Sequence, residues 1–344
     1  MDKIECSIIS REESRILKGI AILSVIFWHG CLYHAFNDVP VLKNPLISWY
    51  FCHGGMSLFL ILSGYGLYES YVAKGLVFFW DNKISKIYLH AAFIQCVGVL
   101  IALITRKKMA ISILEILCIS ATNHIDGNMW YLSYLLFLYL LFYVFFKFFS
   151  QGKLSMCLFM MIYLATMPLM IQTWEFCNYC VISFAIGVLA AKLHTGNAHL
   201  VKVWRNNIIC FGIAVITGFI SVVYYFCFSQ NNNIIIDNIG ANSLAITWIC
   251  IARFLVGVRM LAPLNHIGKL SYFIYLLHGK TVLQYPYDQR SSIGRFTIFV
   301  LLLVATILLA SMYSRIIAPI QTIWKENNDI LHDKTIMSRN DLRE

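Results

Sequence analysis

A chain of 344 residues is long enough for two soluble domains, but 59% of it is apolar, 13% is charged and the mean hydropathy is +0.70. A soluble domain carries about 25% charged residues, so this composition excludes a soluble enzyme and describes a membrane protein. The net charge of +10 is not a nucleic-acid footprint either, because the cations stand in short tracts between apolar runs, where they suit membrane topology and anionic head groups.

The first eighteen residues, MDKIECSIISREESRILK, are too polar for a signal peptide and read as a cytosolic N-terminus. Apolar runs follow at about 16–36, 46–69, 84–105, 109–123, 128–149, 154–171, 176–193, 207–228, 240–260, 266–284 and 296–320. A helix needs about 20 residues to cross the hydrocarbon. The run at 109–123 is short and carries Glu115, so it reads as interfacial or re-entrant. The remainder predicts an all-α polytopic protein of about ten transmembrane helices.

With the N-terminus in the cytosol, inside segments collect eighteen Lys and Arg and outside segments seven, while Arg253 and Arg315 fall within spans and require partners there. Both termini are therefore expected in the cytosol, with residues 1–325 forming one membrane domain and 326–344 a short polar tail. The run Arg106–Lys108 is the main exception to the charge bias. The asparagine-rich stretch 229–239 reads as a solvated outside loop. The eleven cysteines are mostly single within apolar stretches, where Cys acts as a small hydrophobe, and the Cys177, Cys180 pair lacks the second pair or His cluster of a zinc site. Neither a metal nor a resident cofactor is expected.

Lys18 and His29 are eleven residues apart, which at about 100° per residue is three turns plus roughly 20°. They share a helix face and are separated by about 16.5 Å along the axis. That spacing predicts Lys18 at the cytosolic boundary and His29 near mid-membrane. An ionisable residue inside a span is a functional candidate by default. Near its ordinary pKa, a neutral imidazole can take the proton of an attacking hydroxyl. His53, beside Gly54 and Gly55, is a second polar candidate without a basic partner on its face.

The run RILKGIAILSVIFWHG resembles the first span of the membrane-bound acyltransferase 3 family, whose signature places a basic residue and then His after ten intervening positions. GGMSLFLILSGYGLYES at 54–70 is similar to the family's second span with its Ser-Gly-Tyr end, and Lys83-Ile-Ser-Lys86 occupies the place of its basic pair. Asn128-Met-Trp130-Tyr-Leu resembles the opening of a later span, and IGKLSYFIYLLHG at 267–279 its closing Gly-x-x-Ser…Tyr-x-x-His pattern. The matches keep the family order from residue 15 to about 279.

The resemblance implies transfer of an acyl group, usually acetyl from acetyl-CoA as donor substrate, to a hydroxyl of a cell-surface or lipid-linked glycan in the bacterial inner membrane. It makes His29 the catalytic base. Arg15, Lys18, Lys83 and Lys86 become candidates to hold the CoA phosphates at the cytosolic face, although Arg15 and the two later lysines also fit the positive-inside bias. Tyr65, Trp130, Ser271, Tyr275 and His278 become candidates for the acceptor site. Ser271, Tyr275 and His278 fall on one helical stripe, which interhelical hydrogen bonding would equally explain, and Trp130 also suits an interface anchor. The chain departs from the family where an acid often follows the histidine: His34 stands five residues on and the nearest acid is Asp38, so the orienting partner of His29 stays open at this point. A different class fits the same intramembrane histidines, namely a transporter or flippase using them as a proton or substrate path.

Overall fold

The computed structural model describes residues 7–32, 35–36, 39, 54–77, 79–104, 113–121, 127–149, 153–195, 197–228, 233–282 and 294–317. The described residues are helical, with no strand among them. His34, Asp38, His53, Arg106–Lys108 and the tail 326–344 lie outside the described residues.

Helix α1 runs over Arg11–Leu32, five residues earlier than the apolar run that predicts it. A reciprocal capping box explains the difference: the Glu13 amide donates to Ser10 Oγ at 3.1 Å and the Ser10 amide donates back to the Glu13 carboxylate. Helix α2 spans Gly54–Lys74. Helix α3 (Phe79–Lys83) passes through a π-helical turn, Ile84–Tyr88, into α4 (Leu89–Ile104). Of the run at 109–123 the described residues hold α5, Ile113–Ile116, a single short turn of helix. There follow α6 (Trp130–Phe148), α7 (Lys153–Thr173), α8 (Ser183–His194) and the short α9 (Ala198–Trp204). The remainder is α10 (Asn207–Phe228), α11 (Ile234–Leu255), α12 (Ala262–Thr281) and α13 (Gly294–Ile317).

A helical segment stands at each of the ten expected positions, but on length and apolarity six qualify as membrane spans: α1, Gly127–Phe148 including α6, Leu154–Thr173 of α7, α10, α11 and α13. The chain is thus a membrane protein whose helices divide into two kinds. Helices α10 and α13 are strongly apolar and mostly unburied, as lipid-facing helices should be. Helices α2 and α12 are less apolar because they carry polar residues, such as Ser57, Ser271 and His278, that are buried in the interior.

Two close crossings set the interior. At the first, a Cβ on Gly268 of α12 would stand 1.7 Å from the Arg15 carbonyl of α1, and one on Gly19 would stand 2.4 Å from the Leu264 carbonyl. At the second, a Cβ on Gly64 of α2 would stand 2.2 Å from the Phe184 carbonyl of α8, and one on Gly187 would stand 2.1 Å from the Ile61 carbonyl. Where lipid and side chains are equally apolar, backbones brought together by small residues supply the packing that holds helices. An aromatic cluster of Tyr68, Phe142, Phe146, Phe159, Tyr163 and Phe184 fills the space between α2, α6, α7 and α8. Arg253 of α11 finds the partner its position demands: its guanidinium donates to the Trp204 carbonyl at 3.1 Å, to the Arg205 carbonyl and to Asn207 Oδ1 at 3.2 Å, satisfying the end of α9. Arg315 is exposed near the end of α13.

Candidate active site

Helices α1 and α12 run parallel, and their glycine crossing sets their register. His29 stands ten residues beyond Gly19, and His278 ten residues beyond Gly268. Equal steps of about 15 Å from one shared contact bring the two histidines to the same level. Their rings face each other with centroids 5.2 Å apart and planes inclined at 32°. His278 is fully buried, whereas His29 is half-buried. Because α1 ends at Leu32, His29 falls in its last turn, displaced toward the helix C-terminus from the mid-span position that the apolar run predicts.

Polar and aromatic groups extend from this pair. His278 Nδ1 lies against the Tyr275 carbonyl, and the Tyr275 ring is 5.6 Å from that of His278. The Tyr275 hydroxyl donates to the Asn128 carbonyl just ahead of α6, while its ring meets that of Tyr131 edge-on at 5.6 Å. Trp130 packs edge-on against Tyr131 at 6.2 Å. Ser271 is buried one turn before Tyr275 on the same helix. The structure therefore joins His29, His278, Tyr275 and Trp130 in one continuous neighbourhood, with Ser271 at its lower edge.

Tyr65 belongs elsewhere. Successive helical residues point about 100° apart. Within Ser63-Gly64-Tyr65, Ser63 lies within hydrogen-bonding reach of the Tyr131 and Tyr139 hydroxyls, and Gly64 fills the crossing with α8. Tyr65 turns to a second cluster instead: its hydroxyl meets Ser7 Oγ at 2.7 Å and His194 Nε2 at 2.9 Å, and its ring stacks on His194. His194 Nε2 is also 3.0 Å from the Glu69 carboxylate, and Arg205 Nε donates to the Ser7 carbonyl at 3.2 Å. These are the partners of Tyr65, and the histidine pair is not among them. The sequence reading missed this cluster, for which the only signal was a polar histidine closing an apolar run.

The four candidate cations stand on α1, on α3 and on the π-helical turn that follows it. Lys18 is half-buried three turns below His29 on the same face of α1, near enough to Arg15 for the two charges to interact, and Arg15 itself is exposed. Between Lys18 and His29 that face carries Ile22 and Val25, both buried, so it is closed along its length. Lys83 ends α3 with its ammonium 4.6 Å from the centre of the Tyr139 ring, a cation–π contact with α6. Lys86 lies on the π-helical turn, and its side chain is outside the described residues. That turn is held by α12 and α6: the Tyr272 hydroxyl donates to the Ile87 carbonyl, and the Tyr88 hydroxyl donates to the Leu132 carbonyl at 3.2 Å. Single π-turns recur at functional sites because their wider winding re-aims side chains. Among the described residues no group of three metal-ligating side chains forms, and Cys177 and Cys180 are buried in the apolar core.

No curated protein and no solved structure matches this chain. The family profile described as an acyltransferase domain, however, matches residues 12–315, which takes in the whole of the neighbourhood around His29 and nearly all of the chain. A membrane chain with its five motif segments inside that match is no isolated coincidence of spacing, and the protein belongs to the acyltransferase 3 family.

Proposed function

We propose that this membrane acyltransferase moves an acyl group, acetyl in the first instance, from acyl-CoA to a hydroxyl of a cell-surface or lipid-linked glycan, with His29 as general base. The observation that carries the reading is the half-buried His29 ring facing a second, fully buried imidazole across a parallel helix pair. All ten helical segments cross a bacterial inner membrane in this reading, with both termini in the cytosol. The CoA phosphates stay at the cytosolic face against Arg15, Lys18, Lys83 and Lys86, because phosphate charge cannot enter hydrocarbon.

In the chemical step the acceptor oxygen attacks the thioester carbonyl carbon while His29 takes the hydroxyl proton. The tetrahedral intermediate collapses, the carbon–sulfur bond breaks, and the proton held by His29 passes to the departing thiolate, leaving an ester and free CoA thiol. Tyr275, Trp130 and Ser271 stand on the acceptor side. For the donor to reach His29 along α1, the packing of Ile22 and Val25 must open, or the pantetheine arm must pass on another face.

Purified protein in nanodiscs tests this by the release of CoA thiol from acetyl-CoA on addition of a glycolipid extract. Thiol release matched by ester formed on the glycan is the expected result. A protein that binds no CoA and releases no thiol with any acceptor would favour the transport reading, in which the histidine pair is a proton path. Ester found on an amine or a simple lipid would keep the donor chemistry and change the acceptor.

A further inference from the structure

We propose that His278 is the positioning residue for His29: its ring accepts the Nδ1 hydrogen of His29 and so fixes the tautomer that leaves His29 Nε2 as the base. The inference rests on the reading of His29 as the general base and supplies the orienting partner that the sequence leaves open. A carbonyl oxygen can only accept, so the His278 Nδ1 that lies against the Tyr275 carbonyl carries the hydrogen. In a neutral imidazole the other nitrogen is then an acceptor, which makes His278 Nε2 an acceptor in the ring that faces His29.

On the other side of the pair, His29 Nδ1 is buried. The Val25 carbonyl of the preceding turn accepts from the His29 ring, and the His278 ring faces it from the neighbouring helix. A hydrogen on the buried Nδ1, directed at the His278 acceptor, leaves the lone pair on Nε2. Among the described residues no carboxylate acts on His29, and there the task that an acid performs in other base–orienter pairs falls to a neutral ring. Burial separates the roles. His29 is half-buried and meets the substrate, while His278, fully buried behind it, touches neither hydroxyl nor thioester. When His29 Nε2 takes the hydroxyl proton, the imidazolium keeps its Nδ1 hydrogen directed at His278, which holds the charge and the ring angle through the step.

The register of the two helices makes the pairing a backbone property. The Gly19 and Gly268 contact and the ten-residue step on each helix place the rings level before any side chain adjusts.

The test uses the full-length protein in nanodiscs with acetyl-CoA and a glycolipid extract, reading kcat and KM by thiol release, for His29→Ala, His278→Leu, His278→Gln and His278→Asn. A glutamine amide can donate to the Tyr275 carbonyl and still present an acceptor oxygen to His29, leucine can do neither, and the shorter asparagine keeps the first bond but falls short of the second. Expected are a fall in kcat on the order of 10²-fold for His278→Leu, with KM for acetyl-CoA within about twofold, and recovery to within about tenfold of wild type for His278→Gln. His278→Asn should resemble His278→Leu and replaces it if the leucine variant does not fold. A leucine or asparagine variant with wild-type kcat, beside an inactive His29→Ala, overturns the positioning role alone. Equal loss in all three His278 variants with unchanged melting temperature also overturns it, because a ring would then be required for its own proton chemistry. A His29→Ala protein that turns over normally removes the base reading itself.

Discussion

Two histidines in this protein have different surroundings. His194, at the end of α8, is held by the Tyr65 hydroxyl and the Glu69 carboxylate, with Ser7 joined to the same hydroxyl. His29, in the last turn of α1, is half-buried and faces another imidazole, with no acid acting on it among the described residues. A polar group held by several side chains of the fold contributes to stability, and its removal costs about what those bonds are worth. A polar group kept partly accessible and incompletely paired costs stability to maintain, and it is where chemistry is to be sought. The difference teaches that a histidine's depth says less than the company it keeps.

The largest expected effect breaks the comparison at His29. Replacing it with alanine should lower acetyl transfer by about 10²–10⁴-fold, the range a general base contributes, with membrane insertion and melting temperature near wild type, as thiol release and a thermal shift assay would show. Gly268→Val comes next. A side chain there meets the Arg15 backbone at 1.7 Å, so α1 and α12 must separate; a loss of about 1–3 kcal/mol and the disappearance of transfer together are expected in denaturation and turnover measurements. His194→Leu attacks the other cluster and should destabilise by about 1–3 kcal/mol by stranding Tyr65 and Glu69, while the rate per folded molecule stays at the wild-type level. Smallest is Tyr275→Phe, which removes one hydrogen bond to the Asn128 carbonyl at a cost of about 0.5–1.5 kcal/mol in stability, readable as a lowered melting temperature.

Much of the site was legible in α1 itself, since Lys18 and His29 share a face through helical geometry alone. The pairing with His278 was not legible, although Gly19 and Gly268 each precede a histidine by ten residues. No periodicity links two helices so far apart in the chain, and contact between their backbones had to be seen. The partners of Tyr65 were not legible from its motif, because three consecutive helical residues point three ways and the sequence does not say which helix each one meets. The capping box at Ser10 and Glu13 was readable, yet the apolar run concealed it by marking where hydrocarbon begins and not where the helix does. The π-turn carrying Lys86 left no mark, because one extra residue in a winding does not alter an apolar run. Hydropathy found α10 and α13 readily for the reason that they face lipid, and it undervalued α2 and α12, which hold the interior.

The most direct measurement is a cryo-EM map of the protein with a non-hydrolysable acyl-CoA. The account predicts the carbonyl carbon about 5–6 Å from the His29 ring, which leaves room for a hydroxyl oxygen about 3 Å from each, with the CoA phosphates against Arg15, Lys18 and Lys83. An acyl carbon seated instead beside Tyr65 and His194, or a ligand that leaves the His29 ring untouched, would contradict it.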